Sequence, residues 1–158
     1  MPRTLISPLT LVAALLSVAN GALAHDDGTL DKVGGPNGGQ LRMAGAYHFE
    51  LVVAKDSKDA RDNPVVVYVT DHAGTKVPTS GASGTVTILA GKVKATVNLA
   101  PDGDNRLKGV GKYASTPDMK AVVSVTMSGK QAEQARFTPL APIATTAPAK
   151  DAAIGHKH

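Results

Sequence analysis

The sequence predicts an all-β protein, an antiparallel β-sandwich of about seven or eight strands, with a small β-barrel as the alternative. Short runs rich in β-branched and aromatic residues recur at close spacing, and glycine- and proline-containing turn signals divide them. Beyond the first 24 residues, no stretch of comparable length carries apolar residues at i, i+3, i+4 and i+7, so no helical face forms. The chain has 158 residues and no cysteine, which leaves packing, without disulfide staples, to hold one modest core.

The strands follow from the runs in order. Tyr47–Val53 alternates, with Tyr47, Phe49, Leu51 and Val53 on the presumed core face and His48, Glu50 and Val52 opposite. After Pro64, the continuous run Val65–Thr70 reads as a strand buried on both faces, ended by the turn Asp71-His72-Ala73-Gly74. Thr79–Gly84 reads as a flexible loop. Thr85–Leu89 and Val93–Leu99 flank Ala90-Gly91-Lys92, a hairpin signal. Arg106–Val110 and Ala121–Met127 follow, separated by a turn around Thr116-Pro117-Asp118, and Gln134–Thr138 is the last strand. Val125, Met127, Met43 and Met119 are read as packing residues, the usual role of methionine in a strand.

The ends have a different character. Arg3, the apolar stretch Leu9–Ala22 and the small-x-small triplet Ala22-Leu23-Ala24 describe a signal peptide over residues 1–24, cleaved to expose His25. Its apolar run falls short of the ~20 residues a retained span needs, so no membrane span is expected after cleavage and the mature chain is expected in the periplasm. Residues 25–39 are polar and glycine-rich, able to turn tightly at Pro36-Asn37 or to stay mobile. The folded domain then occupies residues 40–140. Residues 141–158, rich in Ala, Pro and Thr, read as a disordered tail ending in His156-Lys157-His158.

Composition excludes several functions. The chain carries 17 Lys and Arg against 13 Asp and Glu, and loss of Arg3 with the leader lowers the formal charge of +4 by one. The basic residues are spread singly, and Tyr47, Phe49, Tyr68, Tyr113 and Phe137 are the only aromatics. Neither an electrostatic stripe for nucleic acid nor a stacking platform for bases or sugars results. No G-x-S-x-G elbow, phosphate loop or dinucleotide fingerprint occurs, and most aspartates fall in turns, so no enzyme is expected.

What remains is metal chemistry. A freed His25 offers an α-amine and an imidazole that can close one chelate ring on Cu(II), Ni(II) or Zn(II). His48, His72, Asp26 and Asp27 are the groups able to join it, and with no thiolate the ligands must be imidazole or oxygen. No HxH, HxxxH or HExxH spacing lies within the folded region, so such a site depends on the fold to assemble it. The expected metal ligands are His25, His48 and His72, with Glu50 or Asp71 orienting an imidazole from behind.

A resemblance bears on the same chemistry. Gly35-Pro36-Asn37-Gly38-Gly39-Gln40, followed by Gly45-Ala46-Tyr47-His48-Phe49-Glu50-Leu51-Val52, resembles a segment near the start of periplasmic adaptor (membrane fusion) subunits of heavy-metal efflux systems. Val67–Gly74, Gly81–Gly84 and Leu99-Ala100-Pro101 are similar to small exported single-domain proteins sharing that module, and together these stretches span about residues 34–140. The resemblance implies a small periplasmic β-sandwich associated with copper or heavy-metal resistance, which binds Cu(II) or Zn(II) and buffers the ion or passes it to an efflux complex. Where that family commonly has histidine, this chain has Asn37, which leaves His25 or His48 to supply the imidazole. The helical hairpin and lipoyl-like portions of an adaptor are missing, so the chain is not expected to act as an adaptor by itself. The competing expectation is a noncatalytic Ig-like interaction module that binds another envelope protein through a sheet edge or loops.

Overall fold

The computed structural model describes residues 34–142. The expected leader, His25 and the His156-Lys157-His158 terminus lie outside the described residues. The regular elements are β1 (Gln40–Ala44), β2 (Tyr47–Val53), β3 (Arg61–Asp71), β4 (Ser83–Ala90), β5 (Val93–Pro101), β6 (Arg106–Tyr113), β7 (Lys120–Thr126) and β8 (Ala132–Phe137). No helix occurs among the described residues, and therefore none long and apolar enough to cross a membrane. Every ladder is antiparallel, in the order β1-β2-β3-β6-β5-β4-β7-β8. Strands β4, β5 and β6 are consecutive neighbours, β7 returns beside β4 and β3 lies beside β6, which makes two overlapping Greek keys.

The protein is all-β as expected, and the barrel alternative describes it better than an open sandwich. The sheet curls until its two outer strands face each other. No ladder joins β1 to β8; side chains bridge them instead. The Gln40 side-chain Oε1 accepts from the Thr138 backbone N–H at 2.8 Å, and the Arg42 Nε–H donates to the Arg136 backbone carbonyl at 3.2 Å. The opposite corner is made where β5 meets β6. Their ladder has only two partner pairs, Ala100 with Lys108 and Pro101 with Leu107. Beyond it the strands cross so closely that a Cβ at Gly109 would collide with the Asn98 carbonyl oxygen, and one at Gly111 with the Val97 side chain. Glycine at these positions lets one backbone lie on the other, a common device at barrel corners.

The core fills from both halves of the curled sheet. Phe49, Leu51, Val65, Val67, Val69 and Leu107 meet Val86, Ile88, Val97, Met119, Val123 and Phe137, all essentially without solvent contact. Met127 and Val125 are core residues, as read from the sequence.

Several expectations need correction. Gln40–Ala44 is a strand; its Arg42 interrupts the apolar alternation, and only pairing with β2 in register completes it. The strand expected to begin after Pro64 begins at Arg61. Proline is tolerated there because the β2 ladder stops at Val53 opposite Val65, and the Tyr113 hydroxyl takes over the pairing. That hydroxyl donates to the Pro64 carbonyl at 2.6 Å and accepts from the Ala54 N–H at 3.0 Å. Burial pushes the phenol above its ordinary pKa, so the group remains a neutral donor. The same strand is not buried on both faces: Val65, Val67 and Val69 enter the core, whereas Val66, Tyr68 and Thr70 are half-buried outside it. Thr79–Gly84 is held in place and is not a free loop. Thr79 has no solvent exposure, and its hydroxyl donates to the Arg106 carbonyl at 3.0 Å.

Two substitutions test this frame. Tyr113→Phe leaves a buried N–H and a carbonyl unpaired and is expected to lower unfolding free energy by about 1–3 kcal/mol in urea denaturation. Gly109→Ala is expected to destabilise more than alanine at exposed Lys108, because the new methyl meets backbone; equal midpoints would remove the crossing from the account.

Candidate functional site

With Phe49, Leu51 and Val53 committed to the core, strand alternation sends His48 and Glu50 to the outer face of β2. The register sets His48 between Met43 of β1 and Thr70 of β3. Strand β3 ends level with the β1–β2 turn, since Asp71 is the partner of Tyr47, and His72 follows in the next turn. His48 and His72, 24 positions apart in sequence, are thereby brought to one end of one face.

The turn carrying His72 is tightly specified. The Asp71 carboxylate accepts from the Ala73 N–H at 2.9 Å and the Thr75 N–H at 2.8 Å, and the Gly74 N–H donates to the Asp71 carbonyl at 3.0 Å. Above all the Thr75 N–H, and then that of Ala73, holds the Asp71 carboxyl below its usual pKa. The expectation that Asp71 orients an imidazole is thus replaced by a backbone role that fixes the turn from which His72 projects.

His72 lies over the β1–β2 hairpin, whose turn is Gly45-Ala46 with positive φ at Gly45, as a two-residue hairpin of the Gly-X kind requires. Its Nε2 is 3.1 Å from the Gly45 carbonyl oxygen. A carbonyl can only accept, so Nε2–H donates and, in the neutral ring, Nδ1 carries the available lone pair. The His48 and His72 rings stack with centroids 4.9 Å apart and planes 20° from parallel. Burial, then the neighbouring His72, lowers the His48 pKa, while Asp71 opposes the shift. The neutral imidazole is therefore the favoured form of His48. Because a ring-nitrogen lone pair lies in the ring plane, stacked rings present their donors side by side. With the His72 bond to Gly45 kept, turning both onto one ion takes a change in the side-chain torsions of His48.

Glu50 has a different task from the one expected. Only 2% exposed although it faces away from the core, it accepts from the Asn37 N–H at 2.8 Å, the Asn37 Nδ2–H at 2.7 Å and the Gly39 N–H at 2.9 Å. The Gly35 N–H donates to the Gly39 carbonyl at 2.9 Å, so residues 35–39 form a tight turn seated on this carboxylate. The sequence had left that segment free to turn or to move; the buried charge decides for the turn. Asn37, the position that departs from the efflux-adaptor pattern, makes two of the three bonds.

Among the described residues, no group of three or more His, Asp or Glu side chains is gathered closely enough to hold an ion. The sequence-expected ligands therefore divide: His48 and His72 meet, and His25 lies outside the described residues. Sequence reasoning missed Met43 as the cross-strand neighbour of His48, because its strand was not recognised. Comparison with protein-family models, with curated proteins and with solved structures finds no match. The likeness to efflux adaptors consequently rests on the residues quoted above.

Two measurements follow from the histidine pair. In an NMR titration His48 is expected to titrate below the ordinary value of about 6.5, and His72→Ala to raise it by removing both the neighbouring charge and part of the cover. Since the folded chain resists protonation of His48, the unfolded chain takes up that proton first as pH falls. The contribution to stability is thus unfavourable below the depressed folded value and vanishes above the unfolded one. His48→Gln should flatten that part of the stability profile.

Proposed function

We propose that this is an exported, noncatalytic periplasmic protein that binds copper or a similar heavy-metal ion and serves in metal resistance. The observation that carries the reading is the His72 Nε2–H bond to the Gly45 carbonyl beside stacked His48. Metal-ligating histidines commonly anchor one ring N–H on a backbone carbonyl, which fixes the tautomer and leaves the other nitrogen for the ion. Here the anchor comes from a hairpin turn, and the second imidazole is held neutral by burial and by its neighbour. His48 and His72 are assigned as ligands, and His25, with its free amine, as the third. Cu(II) or Zn(II) suits such a nitrogen set. An exposed site of low coordination favours exchange, so the ion can be buffered or passed to an efflux complex without chemistry at the protein.

A second reading has its own support. The two outer strands are joined only through side chains, so β1 and β8 offer a seam into which an extended segment of another envelope protein could add. It requires no histidine.

Titration of Cu(II) and Zn(II) into the chain as released by export separates these readings. Binding is expected to fall on replacing both His48 and His72 by Ala, and to weaken when one methionine is added before His25. It is also expected to weaken as pH drops towards 5, where imidazoles protonate. Affinity indifferent to both histidines and to the N-terminus would move the assignment to the interaction module.

A further inference from the structure

The sequence contains four methionines, and three lie among the described residues. Met119 and Met127 are buried in the core, at 0% and 6% exposure, where a thioether serves packing. Met43 is placed otherwise. It alternates with core-facing Arg42 and Ala44, is half-buried on the outer face of β1, and pairs directly with His48 across the β1–β2 ladder. Directly opposed side chains in an antiparallel pair share a face, with Cβ atoms about 4.5–5.5 Å apart. That is within reach of a flexible side chain with three torsions.

His48 is thus flanked by a thioether and an imidazole. Met43 adjoins it across the ladder, and the His72 ring stacks on it at 4.9 Å. Both flanking groups belong to the same hairpin end, because His72 is tied to the Gly45 carbonyl two residues beyond Met43. The β1–β2 turn therefore carries one donor directly and orients another. A packing role alone gives no preference for methionine here, since a half-buried strand position is filled as well or better by a β-branched residue. Its distinguishing property is a soft sulfur donor.

We propose that Met43, His48 and His72 form a three-donor site for a soft monovalent ion, Cu(I), in which the Met43 sulfur discriminates against Zn(II). The inference deepens the metal-binding reading above and rests on it. Thioether ligands select Cu(I), whereas Zn(II) in proteins takes thiolate, imidazole and carboxylate. The two imidazoles can serve either ion; the thioether counts for one. The ion is bound as Cu(I) and released as Cu(I), so no electron transfer is involved.

The test uses the exported chain with its natural N-terminus under anaerobic conditions. Cu(I) affinity is measured by competition with a chromogenic Cu(I) chelator and Zn(II) affinity by calorimetry, for the wild type, Met43→Leu and the double variant His48→Ala/His72→Ala. Loss of a group one shell behind a metal commonly costs 10–100-fold in affinity, so loss of a direct donor in Met43→Leu should weaken Cu(I) by about tenfold or more. Zn(II) affinity should not move. The methyl resonance of Met43 should shift on one equivalent of Cu(I), while those of buried Met119 and Met127 stay in place. Equal Cu(I) affinity in wild type and Met43→Leu, an unmoved Met43 methyl, or parallel loss of both metals would overturn the thioether assignment and leave the histidine pair standing. Failure of the wild type to bind either metal, or binding unaffected in the double variant, would overturn the metal-binding reading together with it. Matching urea midpoints for wild type and Met43→Leu establish that affinity, not folding, is being compared.

Discussion

The close crossing of β5 over β6 is the constraint on which the remaining architecture depends. An eight-stranded sheet lying flat would expose one whole apolar face, and a chain without cysteine has no cross-link to fold it back. Glycine at 109 and 111 lets the β6 backbone sit against Asn98 and Val97, which turns the sheet sharply enough for its two halves to share one core. With that bend Val97 and Ile88 share one buried core with Val67 and Leu107, and the outer strands arrive face to face. Closure at the far side is then a matter for side chains, Gln40 and Arg42 reaching to β8. The open end near Tyr113 is completed by polar groups. Asn63 donates to Ser57 Oγ at 2.9 Å and to the Tyr113 carbonyl at 2.7 Å, so burial there is matched by hydrogen bonding.

The same curl sets up the outer face of β1, β2 and β3. A carboxylate buried on the outside of a barrel is costly unless donors surround it, and the turn at residues 35–39 brings three of them to Glu50. The chain is thereby led into β1 along the face that bears His48. The polar turn stands at the start of β1, and the β1–β2 hairpin and the Asp71–Thr75 turn lie together at its far end, where Asp71 is the partner of Tyr47. The histidines stand on rigid supports while the outer ring remains open to solvent. In the proposed metal-binding role, that division would suit ion exchange, with positions set by backbone and an exposed side chain free to turn.

Much of the fold was legible because strands announce themselves by local chemistry. Alternation along Tyr47–Val53 gave the core face, and turn residues such as Gly91-Lys92 marked a hairpin that does form between Ala90 and Val93. What escaped were features without a local signature. Strand β1 carries Arg42 on its inward face, where its guanidinium donates to the Arg136 carbonyl of β8 and to the Leu41 carbonyl. Pro64 lies inside β3 because a tyrosine from a strand distant in sequence supplies the missing pairing. The candidate site was half legible: His48 and His72 stood out as residue types, but Met43 did not, and Glu50 was assigned to the wrong partner.

By itself the sequence determined the all-β class, the core residues of β2 and most turns, since periodicity and turn chemistry act over a few residues. It also determined which donors exist: five histidines, four methionines and no thiol. Only the tertiary structure decided that the sheet closes like a barrel, that Glu50 anchors Asn37, and that His48, His72 and Met43 occupy one face end. Those outcomes depend on strand register and on the angle at the β5–β6 crossing. Register pairs residues far apart along the chain, and no local pattern encodes which distant partner will stand opposite.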